Sequence, residues 1–167
     1  MDTSTWLITG ASSGLGYALA EYVLEQGDQV VAAARTLEPM AALTEHYPHA
    51  GLALTLDVTD PQQRADAISQ AEARFGAIDI LVNDAGIDFI GAIEEQDEKD
   101  YRAQFEVNFF AAAALLRQAL GDSRQRRPPA NRRETRHAAR RVRDRRRARV
   151  QHRLPRRYRA NRALGIG

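Results

Sequence analysis

The sequence has no cysteine among its 167 residues. This absence excludes disulfide bonds and any site built on a thiolate, and we assign no metal ligands to the chain. The longest uninterrupted apolar run, at 109–116, is far shorter than the roughly 20 residues that a membrane-spanning helix needs. The first residues also lack the basic stretch of a secretory signal. We therefore expect a soluble, cytoplasmic protein without membrane contact.

Lysine is almost absent, and the basic charge is carried by arginine in one part of the chain. Residues 1–120 hold 6 basic and 19 acidic residues, a net charge of −13, whereas residues 121–167 hold 18 arginines and 3 acidic residues, a net charge of +15. The second part has too little apolar surface to offset its ordering entropy. We expect a folded domain at 1–120, and at 121–167 an Arg-rich, poorly ordered tail or an out-of-frame translation of a GC-rich gene.

Short apolar runs alternate with segments of helical periodicity within 1–120. The runs predict strands at 6–9, 30–34, 52–58 and 78–82. The periodic segments predict helices that end at Gly27, begin near Pro39, run from the N-cap Asp60 to Phe75, and span 98–120. This alternation is typical of the α/β fold class. We expect a Rossmann-type doubly wound parallel sheet, incomplete, with its ligand site at the carboxyl ends of the strands.

The helical periodicity also predicts which faces are buried. In the first helix the predicted apolar face contains Leu15, Leu19, Tyr22 and Val23. In the last helix it contains Tyr101, Phe105, Ala112, Leu115 and Leu116. A sheet that stops after four strands leaves one strand edge and part of this last face uncovered, so we expect poor solubility.

A glycine-rich turn, Thr9-Gly10-Ala11-Ser12-Ser13-Gly14-Leu15-Gly16, lies between the first predicted strand and helix. Glycines allow a sharp turn, close approach of the backbone to a phosphate, and tight packing of the helix. Free amides at the helix start attract an anion, and the serines can add hydroxyl donors. We assign Gly10, Ser12, Ser13, Gly14, Leu15 and Gly16 to cofactor binding. The alternative is a tight turn without a ligand.

The spacing Thr-Gly-x-x-x-Gly-x-Gly resembles the first turn of the short-chain dehydrogenase/reductase family. In dinucleotide-binding folds an acidic residue after the second strand holds the ribose of NAD, and an arginine accommodates the 2′-phosphate of NADP. This chain has Arg35 and Thr36 there, with no carboxylate before Glu38. We therefore expect NADP as the cofactor, in preference to NAD. The alternative is that Arg35 is a solvated surface residue.

Three further motifs carry the resemblance. Asp57-Val58 corresponds to the family's adenine pocket, although Asp57 could instead cap a turn. Asn83, Ala85 and Gly86 match the family's Asn-Asn-Ala-Gly, which supports the sheet edge and approaches the cofactor ribose, while Asp84 departs from it and lacks an amide donor. Asn108 corresponds to a helix asparagine whose backbone helps to hold a water of the proton relay. It could also be an ordinary polar helix residue.

The resemblance implies an oxidoreductase that reduces a small carbonyl compound or oxidises an alcohol, and a homo-oligomer. It covers only 1–120, and the family's catalytic serine and Tyr-x-x-x-Lys lie in the other half. Ser123 does not follow a strand, and Tyr158 is followed by Arg162 in place of lysine. We expect a chain with this sequence to have little catalytic activity. The alternative is a non-catalytic cofactor-binding protein, or a nucleic-acid-binding protein that uses the arginines, although nucleic acid is the less favoured partner.

Overall fold

The computed structural model describes residues 3–126, without the side chains of Ile93 and 122–126. The predictions for 127–167 therefore lie outside the described residues, whereas 121–126 of the expected tail are described as helix. Four parallel strands form one sheet in the order β3-β2-β1-β4. The strands are β1 (Thr5–Thr9), β2 (Gln29–Ala34), β3 (Gly51–Thr55) and β4 (Ile80–Val82). Leu7 of β1 lies beside Val31 of β2 and Leu81 of β4, so β1 is central. The predicted parallel sheet is confirmed.

Helices cover both faces of the sheet. They are α1 (Gly14–Glu25), α2 (Ala41–His46), α3 (Pro61–Phe75), α4 (Glu98–Phe105) and α5 (Ala112–Arg126). Within the described residues, none of them is both long and apolar enough to cross a bilayer.

The core is split into two layers by the alternation of side chains along the strands. Val31 and Ala33 of β2 face the layer that contains Ile68 and Leu115, from α3 and α5. The neighbouring residue Ala32 faces the opposite layer, which α1 and α2 cover. Because β2 is buried on both faces, its sequence is an almost unbroken apolar run. The doubly wound arrangement is thus confirmed.

The predicted buried face of α1 was wrong in part. The structure buries Gly16, Ala20, Val23 and Leu24. Leu15, by contrast, is 80% exposed. Because α1 packs on the sheet through small residues, its buried face is rotated relative to the stripe of large side chains, and Leu15 points toward the ends of the strands.

The start of α3 is as predicted. The Asp60 carboxylate accepts hydrogen bonds from the backbone N–H groups of Gln62 and Gln63, at 2.8 and 3.1 Å. The side chain of Gln63 does not close a reciprocal capping box. Its Oε1 accepts instead from the N–H of Asp57, at 2.8 Å, so the helix start holds the loop after β3.

The single helix expected at 98–120 is three consecutive segments. A π-helical segment, Glu106–Ala111, separates α4 from α5, and α5 continues to Arg126. Each π turn contains an extra residue, which rotates the following helix face by about 100° relative to an unbroken α-helix. The rotation buries Ala111 and Leu115 and leaves Phe105 62% exposed. The predicted face was therefore wrong at Phe105 and at Leu116, which is 46% exposed, and correct at Leu115.

One side of the described domain stays uncovered. Among residues 3–126, β4 pairs only with β1, and its three residues are half-buried. Large apolar side chains near the last helical segments are exposed, namely Phe105, Phe109, Phe110, Leu116 and Leu120. The rings of Phe109 and Phe110 pack edge to face, with centroids 5.2 Å apart, yet both remain in contact with solvent.

Candidate functional site

A cavity of about 510 Å³ lies at the carboxyl ends of the strands. Because the strand order is β3-β2-β1-β4, the loops after these strands line it in the same sequence from one end to the other. The lining residues are Gly10, Ser12, Ser13, Gly14, Leu15, Ala34, Arg35, Leu56, Asp57, Val58, Thr59, Asp84, Ala85, Gly86, Ile87 and Val107. Ten of the twelve residues assigned to the cofactor from sequence are among them.

The glycine-rich turn forms the middle of the cavity. Gly10 and Gly14 have φ angles of 71° and 59°, a left-handed conformation that favours glycine. No neighbouring group lies within 4 Å of the position that a Cβ of Gly14 would take, which leaves room for a ligand there. The side chain of Ser13, the N-cap residue, makes no capping hydrogen bond to α1. The amides of the first turn are thus left without a side-chain acceptor.

Gly16 does not line the cavity, and its role is in packing. A Cβ at this position would lie 2.6 Å from the carbonyl oxygen of Gly10 and 2.8 Å from Oδ2 of Asp84. A Cβ on Gly10 would similarly lie 2.7 Å from the backbone nitrogen of Ala85. The turn after β1 and the loop after β4 therefore touch backbone to backbone at Gly10, while Gly16 lets the start of α1 pack against the Gly10 carbonyl and the Asp84 side chain.

Thr9 fixes the same junction through hydrogen bonds. Its hydroxyl accepts from the N–H groups of Asp84 and Ala85, both at 3.1 Å, and donates to the carbonyl oxygen of Val82 at 3.4 Å. Thr9 is 1% exposed, so these groups would have no water to replace the hydroxyl. Sequence reasoning quoted Thr9 within the motif without giving it a role. A hydroxyl at the end of a buried strand is the signal that could have revealed one.

Arg35 and Asp57 lie at the end of the cavity formed by β2 and β3. The N–H and hydroxyl of Thr59 both donate to Oδ1 of Asp57, at 2.9 and 2.7 Å. These bonds, the hydroxyl first, lower the pKa of Asp57 below its ordinary value, and the charge of Arg35 adds to the effect while partial burial opposes it. The Asp57 side chain therefore stabilises the turn to Thr59, which is the alternative role considered from the sequence. Its Oδ2 makes no hydrogen bond within residues 3–126 and can still accept one.

Two further predicted residues, besides Gly16, lie beside the cavity and do not line it. Asn83 is exposed at the end of β4. The Asn108 side chain is directed at the backbone of Ile87, where its Oδ1 accepts from the N–H and its Nδ2 donates to the carbonyl oxygen, each at 2.9 Å. Asn108 thus positions the loop that follows Gly86. Its predicted role in a proton relay stays a prediction.

Sequence reasoning missed six lining residues, or named them without assigning them to the cofactor. Four of these, Ala34, Leu56, Thr59 and Ile87, are adjacent along the chain to residues that were assigned. Val107 lines the cavity because the π segment sets the direction of its side chain. No local sequence pattern predicts this direction. Asp84 was recognised only as a departure from the motif.

No residue of the described domain matches the catalytic pair that the family uses. The chain has one lysine, Lys99, and no described tyrosine precedes it by four residues. The side chain of Ser123 and the stretch from Tyr158 to Arg162 lie outside the described residues. In the same part of the chain, no cluster of three His, Cys, Asp or Glu side chains could hold a metal ion.

Comparisons with known proteins support the fold. Oxidoreductase BOA17 of Botryotinia fuckeliana is 37% identical over 124 residues, which cover 74% of this chain and 45% of the relative. A solved short-chain dehydrogenase from Streptomyces avermitilis matches with a TM-score of 0.71 at 41% identity, covering 75% of this chain and 46% of that one. An alcohol dehydrogenase from Thermococcus sibiricus, complexed with 5-hydroxy-NADP, has a TM-score of 0.67 at 25% identity. The match covers 72% of this chain and 53% of that one.

The chain spans about half the length of the proteins that it matches. A family model described as short chain dehydrogenase matches residues 4–127, which is nearly all of the described domain. The parallel sheet, the turn from Gly10 to Gly16 and the loop after β4 all lie within this match. The chain therefore belongs to the short-chain dehydrogenase family of oxidoreductases.

Proposed function

We propose that this chain forms the NADP(H)-binding half of an oxidoreductase that interconverts a small carbonyl compound and its alcohol. The observation that carries the proposal is the cavity at the strand ends, with the uncapped start of α1 at its centre and Arg35 at one end. The order of the loops predicts the orientation of the cofactor. Its adenosine would lie near Asp57 and Val58, and its second ribose near Ala85 and Gly86.

The start of α1 fits the diphosphate of a dinucleotide. Free backbone amides and the helix dipole attract an anion, and α1 has no acidic residue in its own first turn. The space beside Gly14 admits a phosphate close to the backbone. The hydroxyls of Ser12 and Ser13, which also line the cavity, would add donors.

Arg35 supports NADP in preference to NAD. It is exposed at the end of β2 and lines the cavity, where a guanidinium can form paired hydrogen bonds with the 2′-phosphate. Thr36 follows as a further donor, and Glu38 lies beyond, in a 3-10 turn at Glu38–Met40. The Thermococcus sibiricus enzyme, whose structure contains 5-hydroxy-NADP, is consistent with this choice.

When bound, the cofactor supplies or accepts the hydride. The described residues bind and orient it: the turn after β1 holds its centre, and Asn108 keeps the loop after β4 in place through Ile87. A proton donor to the developing alkoxide is needed as well, and residues 3–126 offer no tyrosine with a lysine four residues later. We propose that the chain binds NADP(H) but turns substrate over weakly. A cytoplasmic location and a homo-oligomer complete the proposal.

Calorimetric titration with NADPH and NADH tests the proposed cofactor. We expect NADPH to bind more tightly than NADH. Arg35→Ala should weaken NADPH about tenfold and leave NADH nearly unchanged, because hydrogen bonds to charged groups contribute roughly 1.5 kcal/mol or more. Arg117→Ala, an exposed arginine of α5 that does not line the cavity, is the matched control. Failure of a folded sample to bind either dinucleotide at millimolar concentration would reject the proposal.

A further inference from the structure

Asp84 places a carboxylate against the start of α1. Its Oδ2 lies 2.8 Å from the position that a Cβ of Gly16 would take, and Gly16 is the third residue of that helix. The residue also lines the cavity beside Ala85 and Gly86. Within residues 3–126 the carboxylate makes no hydrogen bond or ion pair. The carboxylate thus lies next to the first turn of α1 without bonding to its amides.

The contact has opposite consequences for the free and the bound protein. Without a ligand, the carboxylate supplies the negative charge that the start of α1 otherwise lacks, since Ser13 makes no cap bond and the first turn has no acidic residue. An anion near a helix N-terminus is stabilising. A diphosphate that binds to the free amides of this first turn would meet the nearby carboxylate as a like charge.

We propose that Asp84 lowers the affinity for the dinucleotide, because its carboxylate lies beside the start of α1 and repels a diphosphate bound there. The inference depends on the proposed function, since it assumes a dinucleotide in this cavity. The fold itself requires only the backbone of residue 84, whose N–H donates to Thr9 at 3.1 Å. An asparagine has the same shape and keeps that bond, so Asp84→Asn removes the charge and little else.

The experiment compares the native protein with Asp84→Asn in calorimetric titrations with NADPH. The variant should bind about threefold or more tightly, a modest gain because the carboxylate is exposed and partly screened. The gain should shrink as the salt concentration rises, since salt screens the repulsion. Without NADPH, the variant should also have a lower melting temperature than the native protein, because it lacks the negative charge of Asp84 beside the start of α1.

Two controls make the test specific. Asp88→Asn removes an exposed carboxylate four residues along the same loop that does not line the cavity, and it should not change NADPH affinity. Adenosine 2′-monophosphate, which lacks the diphosphate, should bind the native protein and Asp84→Asn equally. Unchanged or weaker NADPH binding by Asp84→Asn overturns the inference, as does an equal gain in either control. A native protein that binds no dinucleotide rejects the proposed function itself.

Discussion

The side-chain amide of Asn108 forms two hydrogen bonds with the backbone of a single residue, Ile87. Both are 2.9 Å long, one to the N–H and one to the carbonyl oxygen. The two residues are 21 positions apart along the chain. The bonds join the loop after β4 to the π segment, where the helix changes its face. The position of one wall of the cavity thus depends on a contact between two distant segments.

Asn108→Asp should loosen this wall. A carboxylate can still accept from the N–H of Ile87 but cannot donate to its carbonyl oxygen, which then faces a negative charge. We expect the free energy of unfolding to fall by about 1 kcal/mol, the contribution of a typical hydrogen bond. Urea denaturation measures the loss, and amide exchange should rise at Ile87. Gln70→Glu, the same chemical change on the exposed face of α3, is the control and should have little effect.

Gly16→Ala tests the close packing of the start of α1 against the beginning of the glycine-rich turn. The new Cβ would lie 2.6 Å from the carbonyl oxygen of Gly10, so the start of α1 must move away from the end of β1. We expect a loss of about 1–3 kcal/mol in the free energy of unfolding, as for overpacked sites, together with weaker NADPH binding. Gly121→Ala is the matched control. No group lies within 4 Å of its Cβ position in α5, and the better helix propensity should leave stability unchanged or higher.

The features that sequence predicted well are local ones. The cap at Asp60 is encoded by adjacent residues, and the structure shows the bonds that the pattern predicts. The strand, turn and helix around Gly10–Gly16 are likewise specified within a short stretch. The ends of strands were predicted less accurately: the strand expected at 78–82 is confined to Ile80–Val82, because the ladder with β1 begins at Ile80.

Acid should destabilise the domain through Asp57 and Asp60. Hydrogen bonds from Thr59 lower the pKa of Asp57, and those from the N–H groups of Gln63 and Gln62 lower the pKa of Asp60, both from an ordinary value of 3.8. The unfolded chain therefore takes up protons first as the pH falls. The stabilisation is complete above the unfolded value of 3.8 and is lost as the pH falls below it toward the folded pKa values.

Denaturation profiles between pH 7 and acid would measure this loss. Asp60→Asn should reduce the pH dependence at little cost near neutral pH, because asparagine also caps helices. Asp66→Asn, on the same helix, should leave the shape of the profile unchanged. A profile that is equally steep in Asp60→Asn and the native protein would contradict the assignment.

What sequence could not predict depends on tertiary contacts. Arg64 is 7% exposed although a charged helix residue is usually solvated. Its Nη1 donates to the carbonyl oxygen of Val58 at 2.6 Å, and its Nε to Oε1 of Gln118 at 3.1 Å. Gln118 is 54 residues away, so no local pattern could reveal the pair. The same holds for the π segment, whose shift of register exposes Phe105.

Arg64→Met should destabilise the domain even though methionine suits a buried site. The substitution leaves the buried carbonyl oxygen of Val58 without its donor, which costs roughly 1–3 kcal/mol. Because Val58 lines the cavity, NADPH affinity should fall as well. Arg102→Met removes an exposed ion pair with Glu98 and should cost less than about 0.5 kcal/mol. Equal effects of the two substitutions in urea denaturation would refute the structural role of Arg64.

The exposed apolar side chains of the last helical segments should control self-association. Phe109 is 58% and Leu116 46% exposed, whereas the adjacent Leu115 is fully buried. We expect Phe109→Gln combined with Leu116→Gln to raise the monomer fraction measured by light scattering, because exposed apolar patches promote aggregation. Leu115→Gln should act in the opposite direction, since it places an unpaired amide in the core and unfolds the domain. If the double substitution left the association unchanged, the uncovered edge of β4 would be the cause instead.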